Sequence, residues 1–240
     1  MKNNKKLMPI GEAADFLEVS VMTLRRWDAS GKLPALKKPS GHRYYEREAL
    51  ERFREDIFGL ARTWAGSETA PDIPKDYYCE TQDRFRARLE HMAILASQKS
   101  GVSEAVPILT AVAGEIGNNS FDHNLGNWPD VPGVFFVYDT NKRIIVLADR
   151  GVGIKGTLSR VRPNLKDDID ALTVAMTERI SGRSPEQRGN GLKFVVSVTA
   201  ENLIKVTLQS GIAVATIERG KAHISLADRN IRGVLTKVEY

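Results

Sequence analysis

Asp149-Arg-Gly-Val-Gly-Ile154 closes a run of apolar residues, and its reading decides the fold of most of the chain. Arg143 to Ala148 carries the apolar content of a strand. Val134 to Asp139 reads as its partner, joined to it by a turn at Thr140 and Asn141. A strand ending in an acid and two closely spaced glycines lets backbone approach a ligand, while the acid supplies a buried acceptor. Upstream, residues 104–125 read as a helix with Ala105, Ile108, Leu109, Val112, Ile116 and Phe121 on its apolar side. Glu115, Asn119 and Asp122 recur on it at spacings of four and three, a stripe of polar acceptors. Buried unpaired, such a stripe is costly; facing a magnesium ion and water, it is sensible. Downstream, a helix near 169–180 precedes Ser181-Gly-Arg-Ser-Pro-Glu-Gln-Arg-Gly-Asn-Gly-Leu192. Gly189 and Gly191 would fold around phosphates, with a helix from about Leu192 pointing its amides at them. Residues 156–187 form the natural lid between the glycine strings. Closing strands at 203–209, 212–218 and 221–225 complete a mixed sheet with helices on one face.

The front of the chain has another character. Residues 9–17 read as a short helix with Ile10, Ala13, Ala14 and Leu17 inward. Ser20 is an N-cap for a second helix to about Ala29, ended by Gly31. Thr23, Arg25 and Arg26 point outward from this second helix, and Leu24 and Trp27 inward. Leu33 to Tyr45 suits a two-stranded wing turning at Pro39, Ser40 and Gly41, with Lys37, Lys38, His42 and Arg43 around the turn. A further helix over 46–53 closes the small core. Between residues 20 and 47, seven lysines and arginines face two acids, a local +5 that equals the net charge of the whole chain. The basicity is therefore concentrated here, where it suits a polyanion.

On Ile10-Gly-Glu-Ala-Ala14, Val19-Ser20, Thr23-Leu-Arg-Arg-Trp27, Gly31-Lys-Leu33 and Gly41-His-Arg-Tyr-Tyr45, the front resembles the winged helix-turn-helix of the MerR and excisionase superfamily. Trp27 replaces the tyrosine usual in MerR-type regulators, which moves the match toward the excisionase-like branch. The resemblance implies double-stranded DNA as partner, with Thr23, Arg25 and Arg26 at the groove and Lys37, Lys38, His42 and Arg43 on the phosphates. The same module redeployed to bind protein is the other reading.

From about residue 80 to 240, the glycine strings with Glu115-Ile-Gly-Asn-Asn-Ser-Phe-Asp-His123 resemble the ATP-binding domain shared by gyrase, Hsp90, histidine kinases and MutL, the GHKL or Bergerat fold. By that resemblance Asn119 would hold Mg2+ and Asp149 would accept from the adenine amino group. Gly151 and Gly153 would flank the base, and Arg188, Gly189 and Gly191 would serve the phosphates. Glu115 falls at the general base of the hydrolysing members, and Ser120 where alanine is usual. Ser210-Gly211 resembles a strand-end turn of the kinase-like and anti-sigma-like members.

The expected organisation is a small winged helix-turn-helix domain over 1–60, a linker over 61–79, and a GHKL-type two-layer α/β sandwich over 80–240. The expected function is an ATP- and Mg2+-binding DNA regulator or accessory factor, with slow hydrolysis and a homodimer presenting two heads. Two alternatives stand beside it: an anti-sigma-like or sensor-type kinase acting on a protein partner in trans, and a non-catalytic scaffold. His91 is a weak phosphoacceptor candidate, because Met92 follows it where an acid is usual. The lone Cys79 excludes an intrachain disulfide and suits a reducing cytoplasm. The four histidines lack zinc spacing, and no apolar run suffices to span a bilayer. The absence of a Gly-Lys-Ser or Gly-Lys-Thr string excludes a P-loop.

Overall fold

The structure is a computed structural model that describes residues 7–17, 19–39, 41–178 and 191–240. Two regions follow one another: a small helix-turn-helix head and a larger α/β domain. In the head, β1 (Leu7–Pro9) leads into α1 (Ile10–Leu17), and α2 (Val21–Ala29) follows. The wing is β2 (Leu36–Lys37) and β3 (Arg43–Glu46), and α3 (Arg47–Glu55) closes the unit. Ser20 caps α2 through its hydroxyl, which accepts from Thr23 N–H at 3.0 Å, and Gly31 leaves the helix at φ +73°. Ala13, Ala14, Leu17, Leu24, Trp27, Leu33, Tyr45 and Leu50 form its core. β1, absent from the sequence reading, pairs with β3 and makes the sheet three-stranded, in the order β1-β3-β2.

The larger domain is a seven-stranded sheet in the order β4-β5-β6-β10-β7-β8-β9. Its strands are β4 (Tyr78–Cys79), β5 (Val134–Asp139), β6 (Ile144–Asp149), β7 (Lys205–Ser210), β8 (Ala213–Glu218), β9 (Lys221–Leu226) and β10 (Val234–Glu239). The expected mixed sheet is instead antiparallel at each pairing. The missed β10 explains how: it slots between β6 and β7 and reverses the direction there. One face carries α5 (Gln82–Ser97), α6 (Val106–Asn124), α8 (Asp168–Thr177) and α9 (Gly191–Glu201), packed on Phe136, Ile145, Leu147, Val206 and Leu208. The short α7 (Gly153–Leu158), another element the sequence reading left as loop, stands beside α8.

The opposite face is covered too, but only over half its width. α4 (Ile57–Gly66) lays Ile57, Leu60, Ala61, Trp64 and Ala65 on Phe135, Val137, Val146, Ala148 and Leu235. This corrects two expectations, helices on one face alone and a loop from Ala61 onward. The physical reason lies in β5 and β6, which are apolar on both sides and so bury both. The connection from head to domain is thus a packed helix and a short segment over 67–74, ending in the edge strand β4.

Candidate functional site

In their described residues, the strings singled out in the sequence converge on one cleft, roughly 830 Å³ including its open mouth. Glu115, Ile116, Asn119, Ser120, His123 and Asn124 reach it from α6, Asp149 from the end of β6, Gly153 and Ile154 from α7, and Gly191 from the start of α9. Its far wall is apolar, with Leu158, Ala175, Leu192, Leu208 and Val234.

Asp149 is the chemical centre. It is only 2% exposed. Ser120 Oγ donates to its Oδ2 at 2.7 Å and the Gly151 N–H to its Oδ1 at 2.8 Å. Burial pushes its carboxyl up to about 6, against the opposing pull of the Ser120, Gly151 and Val234 donors. Such a group can accept from a neutral N–H donor of a flat ligand. In the second half of α6, Glu115 and Asn119 lie one turn apart, and Asn119 Nδ2 donates to Glu115 Oε1 at 2.8 Å. A Cβ on Gly191 would stand 1.9 Å from that Oε1, so Gly191 is seated directly on the first string.

The glycine loop after β6 is held at both ends by residues that the sequence reading assigned other roles or none. Asn124, 3% exposed, accepts the Val152 N–H at 2.8 Å through Oδ1 and donates to the Ser120 carbonyl at 2.7 Å. Its amide lies 2.1 Å from where a Gly151 Cβ would be, so Gly151 packs behind the loop against Asn124. Gly153, at φ +71°, lines the cleft itself. Ser210 Oγ accepts the Ile154 N–H at 2.9 Å and donates to the Gly233 carbonyl at 3.1 Å. A polar residue one turn beyond a polar stripe was the available signal for Asn124. Ser210 was singled out only as part of the Ser210-Gly211 strand-end turn; nothing local showed that it reaches the glycine loop, because it arrives from another strand. Asp122, expected on the same stripe, is instead on the exposed side of α6, and His123 takes its place in the cleft. The continuation of the stripe by fours, not threes, decides this. Arg188 and Gly189 lie outside the described residues.

The second surface is on the head. Met22, Arg25, Arg26 and Ala29 form an exposed stripe along α2, and Met22, 62% exposed, is a member the sequence reading did not name. Thr23, expected outward, is fully buried. It lies on the Leu24 and Trp27 side of the helix, where its hydroxyl meets Ser20 Oγ at 2.9 Å. Its place three residues after the cap explains this. In the wing, Lys38 and His42 are exposed, and Lys38 Nζ sits 4.3 Å from the Tyr44 ring centre. Lys37 and Arg43 instead grip Asp28, at 3.2 and 2.7 Å. The Arg43 guanidinium, then the Ala35 amide, outweigh burial and hold the Asp28 carboxyl at about 2. These two cations therefore fix the wing to the end of α2 as well as adding positive charge.

Residues 9–45 match the model of the MerR family regulatory proteins. The chain is also similar to the Type II methyltransferase M.Eco47II of Escherichia coli, 38% identical over 61 residues that cover 25% of this chain and 15% of the methyltransferase. The chain thus spans a small part of that relative's length. Among the described residues, no helix is long and apolar enough to cross a membrane.

Proposed function

We propose that the protein is a DNA-binding regulator or accessory factor whose larger domain binds ATP, with DNA engagement coupled to the nucleotide. The observation that carries the nucleotide reading is convergence. Strings spread from Glu115 to Gly191 meet in one cleft, where a Cβ at Gly191 would fill the space against Glu115 and Asn119. The DNA reading rests on the MerR-like head and its exposed Met22, Arg25 and Arg26 stripe flanked by Lys38 and His42. Arginines suit bidentate contacts to guanine or phosphate, and the wing cations suit the backbone.

In this reading Asp149 accepts from the base amino group, held in place by Ser120 and Gly151. The apolar wall of Ile154, Leu158, Leu208 and Val234 excludes water from one face of the base. Asn119 would hold Mg2+, which when bound offsets phosphate charge. Among the described residues no three acids, histidines or cysteines gather as a metal site. A magnesium ion commonly draws its other ligands from phosphate and water, so the donor set suits it in that form. Glu115, hydrogen-bonded to Asn119, would orient a water and take its proton in a slow hydrolysis. A homodimer would present two heads to a repeated site.

The test is binding of a fluorescent ATP analogue and magnesium-dependent ATP turnover by the full chain. Asp149→Ala is expected to abolish binding, and Glu115→Ala to abolish turnover while leaving binding. Turnover equal in the parent and Glu115→Ala would remove hydrolysis from the reading. Absence of analogue binding by the parent would remove the nucleotide altogether.

A further inference from the structure

The segment joining head to domain carries a carboxylate placed on the DNA-facing helix. It is pinned at its start by Arg150, whose side chain is fully buried next to Asp149 of the cleft. The guanidinium donates to the carbonyls of Trp64, of Ser67 at 2.9 Å and of Glu68 at 3.2 Å. It also pairs with Asp130, with Nε at 2.8 Å from the carboxylate. Burial raises the Asp130 carboxyl, but the Arg150 hydrogen bonds, the Val131 amide and the charges of Arg150 and Arg232 together hold it below its ordinary value. From this anchor the chain crosses to the head. There Asp72 Oδ2 accepts from Thr23 Oγ1 at 2.5 Å and from Arg26 Nη2. Ala70, Pro71 and Ile73 line a shallow groove with Val19, Ser20 and Trp64 around this contact.

Arg26 belongs to the exposed stripe that would face a groove. A carboxylate oxygen on a guanidinium offers the charge and acceptor geometry of a phosphate oxygen. We propose that Asp72 is an internal competitor of DNA: the strap over 67–74 holds the Arg26 guanidinium, and duplex binding must displace it. This inference rests on the DNA-binding reading of the head. The magnitude follows from exposure. The Arg26 and Asp72 side chains are 59% and 52% exposed, so the pair is solvent-screened and acts as a brake of a few fold, not a lock. A pair that held Arg26 ready for DNA would predict the opposite sign.

Asp72→Asn removes the charge while keeping an oxygen for Thr23. Binding of a fluorescein-labelled non-specific duplex by the full chain, followed by anisotropy at several salt concentrations, gives the readout. Asp72→Asn is expected to bind about two- to five-fold tighter at low salt, with a salt dependence steeper by up to about one released counterion. The gain should vanish in an Arg26→Ala background, since the competitor then has nothing to release. Unchanged or weaker binding by Asp72→Asn, while the parent binds with a salt-dependent affinity that Arg26→Ala reduces, would overturn the brake and leave the DNA reading standing. If neither parent nor Asp72→Asn binds duplex at any salt, the DNA reading fails and the brake falls with it. A silent parent with a binding Asp72→Asn variant is the strongest form of the expected result.

Discussion

The head and the cleft are assembled from opposite kinds of sequence information. The head draws its core and its surface from one contiguous stretch of chain, with Tyr45 Oη tied to the Leu24 carbonyl 21 positions back and β1 closing on β3 within the same stretch. The cleft joins Ser120 to Asp149 across 29 positions and Ile154 to Ser210 across 56. The contact that ties domain to strap, Arg150 to the Trp64 carbonyl, spans 86. A contiguous pattern is recognisable as a family signature, and residues 9–45 are matched as one. A dispersed one becomes specific only when folding brings its parts together.

The largest expected effect tests the joint between the two regions. Arg150→Ala removes a buried cation that satisfies three backbone carbonyls and Asp130. The loss should be about 3–5 kcal/mol of stability by urea unfolding. A loss under about 1 kcal/mol would mean water replaces the guanidinium and the joint is loose.

Leu24→Ala asks whether the regions fold separately. Leu24 is fully buried in the head core, and its truncation should cost about 3 kcal/mol there. The expected outcome is loss of duplex binding with the affinity for an ATP analogue retained. Loss of both would show that head and domain fold as one unit.

Asp149 gives the cleft a pH signature opposite in sign to that of Asp28 in the head. Its folded-state value, about 6, lies above the ordinary 3.8, so the stability of the protonated form is fully present below the lower value. It is lost as pH rises through the upper one. Against Asp149→Asn, which does not titrate, the parent should lose roughly 3 kcal/mol between about pH 4 and pH 7. Parallel stability curves for the two proteins across that range would refute the buried, raised carboxyl.

The smallest effect falls on the head surface. Arg25→Ala leaves the core untouched, because Arg25 is exposed. It should weaken duplex binding a few fold, about 1 kcal/mol, and reduce the salt slope by about one ion. An unchanged slope would move the DNA face away from Met22, Arg25 and Arg26.

Much of this was legible along the chain. Ser20 as cap, Gly31 as terminator and the strand over Val134 to Asp139 follow from local chemistry, and each stands where the residues placed it. Glu115, Asn119 and Asp149 were identifiable because polar residues on an apolar helix or at a strand end demand a partner. Thr23 was misplaced because the same residue type serves a groove or a capped helix start equally well. Asn124 was missed, and Ser210 was read only as part of a strand-end turn, because their hydrogen bonds go to loop amides whose positions depend on folds elsewhere. The linker was read as loop because α4 is short and runs into Gly66 and Ser67. Its apolar face earns stability only against the sheet's second side.

By itself, the sequence determined the helix-turn-helix of the head, where periodicity, cap and turn are local, and the residue types of the cleft. Only the tertiary structure decided that Glu115, Asn119, Asp149 and Gly191 share one cleft, that Arg150 is buried beneath the strap, and that Asp72 reaches Arg26. The reason is physical: local preferences fix which element forms, whereas the meeting of distant polar groups depends on apolar faces packing first. That packing exists only once β10 and α4 close the sheet.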